Sequence, residues 1–226
     1  MATNFFTKKR WVYIGISQLL ACFLLIFLLY AVYLNGATSV WFGKNFYFLV
    51  SKNARIEVAT HETRLEGGAG YLLQDEGAEY IVWSVYLNEA EGKTVHASLS
   101  EDTQLVKKPV TYLYFKGKDK ERMQTVQSAL NCLYGCIDVL SQGISQLSHG
   151  GTQEACRRFL GILEKQFSYL ETAYQNNYPH FSNVCANVHK QLESILKEKT
   201  IFAKDLRYVL CGACEDYIHL SAEFSI

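Results

Sequence analysis

Cys211-Gly212-Ala213-Cys214 has the spacing of a redox dithiol. Such a dithiol works at a helix N-terminus after a strand, where a thiol pKa is lowered. Here the motif falls inside a helical pattern with no strand before it, so redox catalysis is not expected. Cys185 and His189 stand i, i+4 on one helical face, and with Cys211 and Cys214 they form a candidate tetrahedral zinc set. Nothing in the spacing brings the two pairs together. Of the seven cysteines, Cys22 lies near the N-terminus, and Cys132, Cys136, Cys156, Cys185, Cys211 and Cys214 lie in the C-terminal part. They read first as small apolar residues of a helical core. One or two disulfides are the second reading, and metal or redox chemistry the third.

Glu62 and Glu66 are also i, i+4, the pattern of a solvated helix face rather than of a catalytic carboxylate pair. Gly67-Gly68-Ala69-Gly70 has the composition of a phosphate loop, but a strand pattern follows it instead of a helix. No nucleophile motif stands out. The expectation is a non-enzyme with no cofactor and no metal. The remaining chemistry is stacking and hydroxyl bonding, and the fifteen tyrosines are the residues for it.

The elements that position those tyrosines lie between Phe46 and Gly117. Phe46-Tyr47-Phe48-Leu49-Val50 predicts a strand, and Ala54 to Glu66 a helix in which Ile56, Ala59 and Leu65 share a face. The glycines end that helix. Tyr71-Leu72-Leu73 predicts a second strand with a turn at Asp75-Glu76-Gly77, and Glu79 to Tyr86 a third. Asn88 caps a helix from Glu89 to about Ser100, with Val95 and Leu99 on its buried edge. Pro109 to Phe115 predicts a fourth strand with Pro at its entry. This β-α-β-β-α-β order makes a four-stranded antiparallel sheet with both helices on one face. Strand parity puts Ile81, Trp83 and Val85 opposite Tyr80, Val82, Ser84 and Tyr86, and Phe46, Phe48 and Val50 opposite Tyr47 and Leu49. It also sets Thr111, Leu113 and Phe115 opposite Tyr112 and Tyr114. With the apolar sets under the helices, the other face carries Tyr47, Tyr71, Tyr80, Tyr86, Tyr112 and Tyr114. That face is either open for binding or covered by the C-terminal region.

Phe46 to Gly117 resembles the SPOR (sporulation-related repeat) domain. The likeness rests on element order and length, and on Glu79-Tyr80-Ile81-Val82-Trp83-Ser84-Val85-Tyr86 followed by Gly92, Val95 and Leu99. Gly67-Gly68-Ala69-Gly70-Tyr71 is similar to the turn into the second strand in members from sporulating Firmicutes. The resemblance implies binding of peptidoglycan glycan strands that lack stem peptides, across the open sheet face. Matching strand positions puts Tyr80 and Ser84 there, and the parity set adds Tyr47, Tyr71, Tyr112 and Tyr114 as glycan contacts. Phe48-Leu49-Val50 departs from the polar glutamine many members carry in the first strand.

The flanking segments set the context. Trp11 to Leu34 carries no charge in 24 residues. At about 1.5 Å per residue, such a run covers a hydrocarbon core of roughly 30 Å. It is expected to be a transmembrane helix, with a cleaved signal peptide as the alternative. Lys8, Lys9 and Arg10 keep residues 1–10 cytoplasmic and the bulk extracytoplasmic. Residues 35–45 read as a linker, in which Trp41 and Phe42 either meet lipid headgroups or begin the next core. Residues 118–226 predict a helical bundle. Its first seam is Met123, Val126, Leu130, Leu133, Ile137, Leu140, Ile144 and Leu147. Gly150-Gly151 and Asn176-Asn177-Tyr178-Pro179 divide it.

The fold expected is therefore α+β: a transmembrane helix, a SPOR-like sheet module over 46–117, and an all-α bundle. Basic and acidic residues balance at 22 each, which gives no footprint for nucleic acid. The expected function is non-catalytic: a single-pass cell-membrane protein that binds septal peptidoglycan in division or sporulation and recruits an envelope partner through its helical tail. The alternatives are an interaction scaffold that binds no glycan, and a thiol or zinc site in the bundle.

Overall fold

The computed structural model describes residues 23–27, 37–51, 56–75, 77–99, 102–116 and 120–224. The elements in order are β1 (Ala37–Ser51), α1 (Ile56–Leu65), β2 (Tyr71–Asp75), β3 (Ala78–Tyr86), α2 (Glu89–Ser98) and β4 (Thr103–Lys116). The helices α3 (Lys120–Ser148), α4 (Gln153–Tyr174), α5 (Pro179–Lys197) and α6 (Ala203–Phe224) follow. The architecture is α+β, but the expected transmembrane helix is not found among the described residues. Among the described residues no helix is long and apolar enough to cross a membrane. Of residues 11–34 only 23–27 are described, as one short exposed helical stretch, and the rest lie outside the described residues.

The sheet has four strands in the order β2-β3-β1-β4, and every neighbouring pair is antiparallel. β1 begins at Ala37, so the linker expected over 35–45 is mostly strand and the module starts before Phe46. Thr38, Val40, Trp41 and Phe42 supply β-branched and aromatic side chains suited to a strand. Gly43 does not end it. The register slips between Trp41 and Lys44, and Gly43 takes φ +59° at a bulge. β4 likewise starts at Thr103, six residues earlier than expected, with Pro109 inside it. Proline is tolerated there because β4 is an edge strand.

A second bulge changes which side chains share a face. β3 pairs Ser84 with Leu49 and Val82 with Val50, so Trp83 is the extra residue. Ile81 and Ser84 therefore point one way, and Val82 and Val85 the other, which the strict alternation expected for β3 does not give. Phe46, Phe48, Val50, Val82 and Val85 do not lie under α1 and α2. They are buried in one cluster with Leu130, Leu133, Leu206 and Tyr217 of the bundle. Tyr47, Leu49 and Ile81 are buried on the opposite side. There Tyr47 Oη donates to Glu89 Oε2 at the start of α2 (3.4 Å), and Gly92 lies against Leu105 and Tyr86. The sheet is thus covered on both faces, by α1 and α2 on one and by the bundle on the other.

α1 differs in detail from expectation. Ala59 and Thr63 form its buried stripe, and Leu65 is exposed. The bundle follows its seams: Val126, Leu130, Leu133, Ile137 and Leu140 of α3 are fully buried, as are Leu160, Leu163 and Phe167 of α4. Thr152 Oγ1 accepts the Ala155 N–H (3.2 Å), and Asn88 Oδ1 accepts that of Ala90 (2.8 Å), each satisfying an orphan donor at a helix start. Arg157 of α4 donates to the carbonyls of Leu196, Glu198 and Lys199, which completes the C-terminal end of α5.

Candidate functional site

The six residues expected to bind glycan are distributed over three environments. Tyr47 is buried under α2, and Ser84 is buried in register with Leu49 on the same side of the sheet. Tyr71 and Tyr80 lie half-buried against the core that the sheet shares with the bundle. Tyr71 is tied further, its hydroxyl donating to Glu215 Oε2 at 2.5 Å and its ring meeting Tyr208 edge-on. Burial and the Glu215 carboxylate hold its phenol above the ordinary tyrosine range. Of the two alternatives for that face, open or covered by the C-terminal region, the structure has the covered one, an apolar core seam, and Tyr47, Tyr71, Tyr80 and Ser84 do not form a surface.

Tyr112 and Tyr114 do form one, with a residue that the parity argument did not include. Beyond the end of β3 the strands β1 and β4 continue as a two-stranded ribbon, in which Trp41 pairs with Tyr112 and Ser39 with Tyr114. Trp41 is 63% exposed, Tyr112 47% and Tyr114 45%. Leu113, on the other side of the same strand, is fully buried. The Trp41 and Tyr112 rings meet edge-on with centroids 5.0 Å apart, and Tyr112 and Tyr114 are 6.2 Å apart and tilted by 38°. An edge-to-face pair of this kind contributes about 0.5–1.5 kcal/mol beyond its area.

Gly43 fixes the strip from below. A Cβ there would stand 2.8 Å from three atoms of the Trp41 indole, so the ring lies directly on the glycine backbone. The bulge supplies both the left-handed glycine and the ring's seat. The sequence signal for this was Trp41-Phe42-Gly43, an aromatic two residues before a glycine in a β-rich run. Of the two alternatives for Trp41 and Phe42, Phe42 joins the core, while the pairing of Trp41 with Tyr112 depends on a partner strand distant in the sequence.

The other chemical candidates are accounted for by packing. Gly67-Gly68-Ala69-Gly70 is a joint between α1 and β2. The Gly67 carbonyl accepts Arg207 Nη1 at 2.6 Å, and the Ala69 carbonyl accepts Arg64 Nη1 at 3.0 Å. With Arg64–Asp205 (2.5 Å) and Tyr71–Glu215, these bonds dock α6 onto the sheet module. The six cysteines of the bundle are free thiols, and all but Cys132 are buried. Burial pushes the Cys136 thiol up to about 11 and Cys185 to about 12, and raises Cys211 and Cys214 well above the usual range. Such thiols are poor nucleophiles at neutral pH. His189 does not turn toward the Cys211–Cys214 pair. Its Nε2 lies 2.7 Å from Glu164 Oε1 and its Nδ1 3.1 Å from Glu171 Oε2. Among the described residues no group of three or more histidine, cysteine, aspartate or glutamate side chains is arranged to hold a metal ion.

The site with the geometry of a binding surface is the ribbon strip Trp41–Tyr112–Tyr114. Comparison with protein-family models, curated proteins and solved structures finds no match to this chain.

Proposed function

We propose that this chain is a non-catalytic binding protein of the cell envelope that holds peptidoglycan glycan strands on the strip Trp41–Tyr112–Tyr114, acting in division or sporulation. The observation that carries the reading is the exposure of three neighbouring aromatic rings on a ribbon whose opposite side is buried. The C–H faces of sugar rings stack on aromatic faces, and phenol hydroxyls bond sugar hydroxyls. The rings are tilted rather than coplanar, so successive sugars meet them one at a time along the ribbon. The SPOR resemblance supports the ligand class. Its sheet-face site is replaced here, because that face packs on the bundle. The bundle then serves as the partner-facing part of the molecule.

A second reading has its own observation. The sheet face is a closed apolar core, which favours an interaction scaffold that binds no glycan. Co-sedimentation separates the two. The 226-residue chain is spun with purified sacculi before and after amidase removal of stem peptides. Glycan binding predicts sedimentation that rises after amidase and falls in Trp41→Ala with Tyr112→Ala. Tyr80→Ala with Ser84→Ala, checked for folding, leaves it in place. No sedimentation of the folded protein would sink the glycan reading and leave the scaffold.

A further inference from the structure

A cleft of about 530 Å³ lies where the sheet module meets the bundle. Its walls come from the C-terminal end of α1, the last turns of α5, the loop after it and the start of α6. The residues that give it chemistry are Arg64, Gln191, Ser194, Phe202, Asp205 and Tyr208. Its size falls in the range of small-molecule sites, and junctions between packed units are where such sites concentrate.

Two features distinguish it from an ordinary surface groove. Phe202 and Tyr208 are 53% and 41% exposed, and both line this one cleft. Tyr208 is held in place, its ring edge-on to Tyr71 at 5.2 Å and 5.7 Å from the Arg64 guanidinium carbon. Arg64 is also fixed, by Asp205 (2.5 Å) and by the Ala69 carbonyl (3.0 Å). A guanidinium carries five N–H donors, and these two bonds leave others for a ligand. Asp205 neutralises its charge and Glu198 adds a second carboxylate to the wall, so the cleft does not select an anion. Gln191 and Ser194 add a neutral amide and a hydroxyl.

We propose that this cleft binds a short neutral saccharide. The aromatic rings take the C–H faces of the sugar, and the amide, hydroxyl and spare guanidinium donors take its hydroxyl and acetamido groups. The site shares no residue with the ribbon strip and stands whether or not the strip binds glycan.

The test uses the full-length protein and the disaccharide of N-acetylglucosamine as the probe, read by saturation-transfer NMR and by calorimetry. The cleft is read in the Trp41→Ala background, which removes the strip as a second sugar site, and to it are added Phe202→Ala, Gln191→Ala or, as a control on an exposed residue outside the cleft, Tyr169→Ala, each checked by circular dichroism and thermal unfolding. Phe202 is exposed, so its truncation leaves the fold intact. The expected result is binding by the Trp41→Ala chain, weakened about tenfold by adding Phe202→Ala, weakened by adding Gln191→Ala and unchanged by adding Tyr169→Ala. Binding that survives both cleft variants overturns the proposal. So does binding seen with Trp41 intact and absent in the Trp41→Ala background, which assigns the sugar to the strip. No binding by the folded parent chain at millimolar disaccharide overturns it as well, and leaves the sacculus experiment to judge the strip separately.

Discussion

β1 and β4 run side by side from Ala37–Lys116 to Ser51–Thr103, and the two ends of that one ladder have opposite fates. From Phe46 to Val50 β1 is covered on both sides, and Phe46, Phe48, Leu49 and Val50 have no exposed surface. From Ser39 to Trp41 the same ladder continues past the end of β3 and carries Trp41, Tyr112 and Tyr114 to the surface. Gly43 and its bulge mark the border. Aromatic content does not tell the two ends apart, since both are rich in it. What differs is whether a third strand and the bundle are there to cover the rings.

That comparison breaks most sharply on paired truncations. Phe46 packs against Tyr134 of α3 and Tyr217 of α6, with ring centroids 6.0 and 5.3 Å apart. Phe46→Ala opens a cavity where sheet and bundle meet and is expected to cost about 3–5 kcal/mol. Trp41→Ala removes a larger side chain but an exposed one, and is expected to cost only its ring contact with Tyr112, about 0.5–1.5 kcal/mol. Denaturant unfolding of both variants checks this. Equal losses would mean that the ribbon is core and the strip is no binding surface.

Much of this frame was legible in the sequence. The strand-helix order of the module follows from Glu79 to Tyr86, from the cap at Asn88 and from the glycines after α1. The heptad seam of α3 and the caps at Thr152 and Gly150 follow from spacing and residue type in the same way. The two bulges were not legible, because each depends on a register set by a partner strand. Trp83 reverses the parity of half of β3, so a period-two argument placed Ser84 and Val82 together although they point to opposite faces. Which face the bundle would cover was also beyond reach, since both faces present apolar residues and only tertiary packing chooses between them. The membrane-crossing helix is expected from an uncharged run of which only residues 23–27 are described, and among the described residues no helix is long and apolar enough to cross a membrane.

The border itself gives the next effect. Gly43→Ala forces a Cβ into a left-handed backbone, at about 1–2 kcal/mol for that conformation, and pushes on the indole that sits 2.8 Å away. A stability loss of that order is expected, together with a fall in sacculus binding like that of Trp41→Ala. A variant that loses neither shows that the bulge does not hold the strip.

A smaller loss is expected at the seam that docks α6. Tyr71→Phe removes the donor to Glu215 and leaves its carboxylate without that bond in a half-buried place, at a cost of about 1 kcal/mol. Unfolding at neutral pH measures it. No change would mean that the Tyr71–Glu215 bond adds nothing to the docking, and that packing with Arg207–Gly67 and Arg64–Asp205 holds tail to sheet.

The smallest effect concerns the same seam and is a matter of pH. Burial, reinforced by the neighbouring Glu215 carboxylate and opposed by His219, raises the Asp216 carboxyl above its ordinary value of 3.8. The folded state therefore holds this proton more tightly than the unfolded chain does. The resulting stabilisation is full below pH 3.8 and is lost as the pH rises through the raised folded value. Asp216→Asn carries no such titration. Its melting temperature relative to the parent chain should climb from acid toward neutral pH and then level off. On the ribbon side of the comparison, Trp41→Ala removes no titrating group and should track the parent at a constant offset. A flat Asp216→Asn difference would show that the carboxylate is well hydrated where α6 meets the sheet, and that the seam is wetter than its packed aromatic neighbours imply.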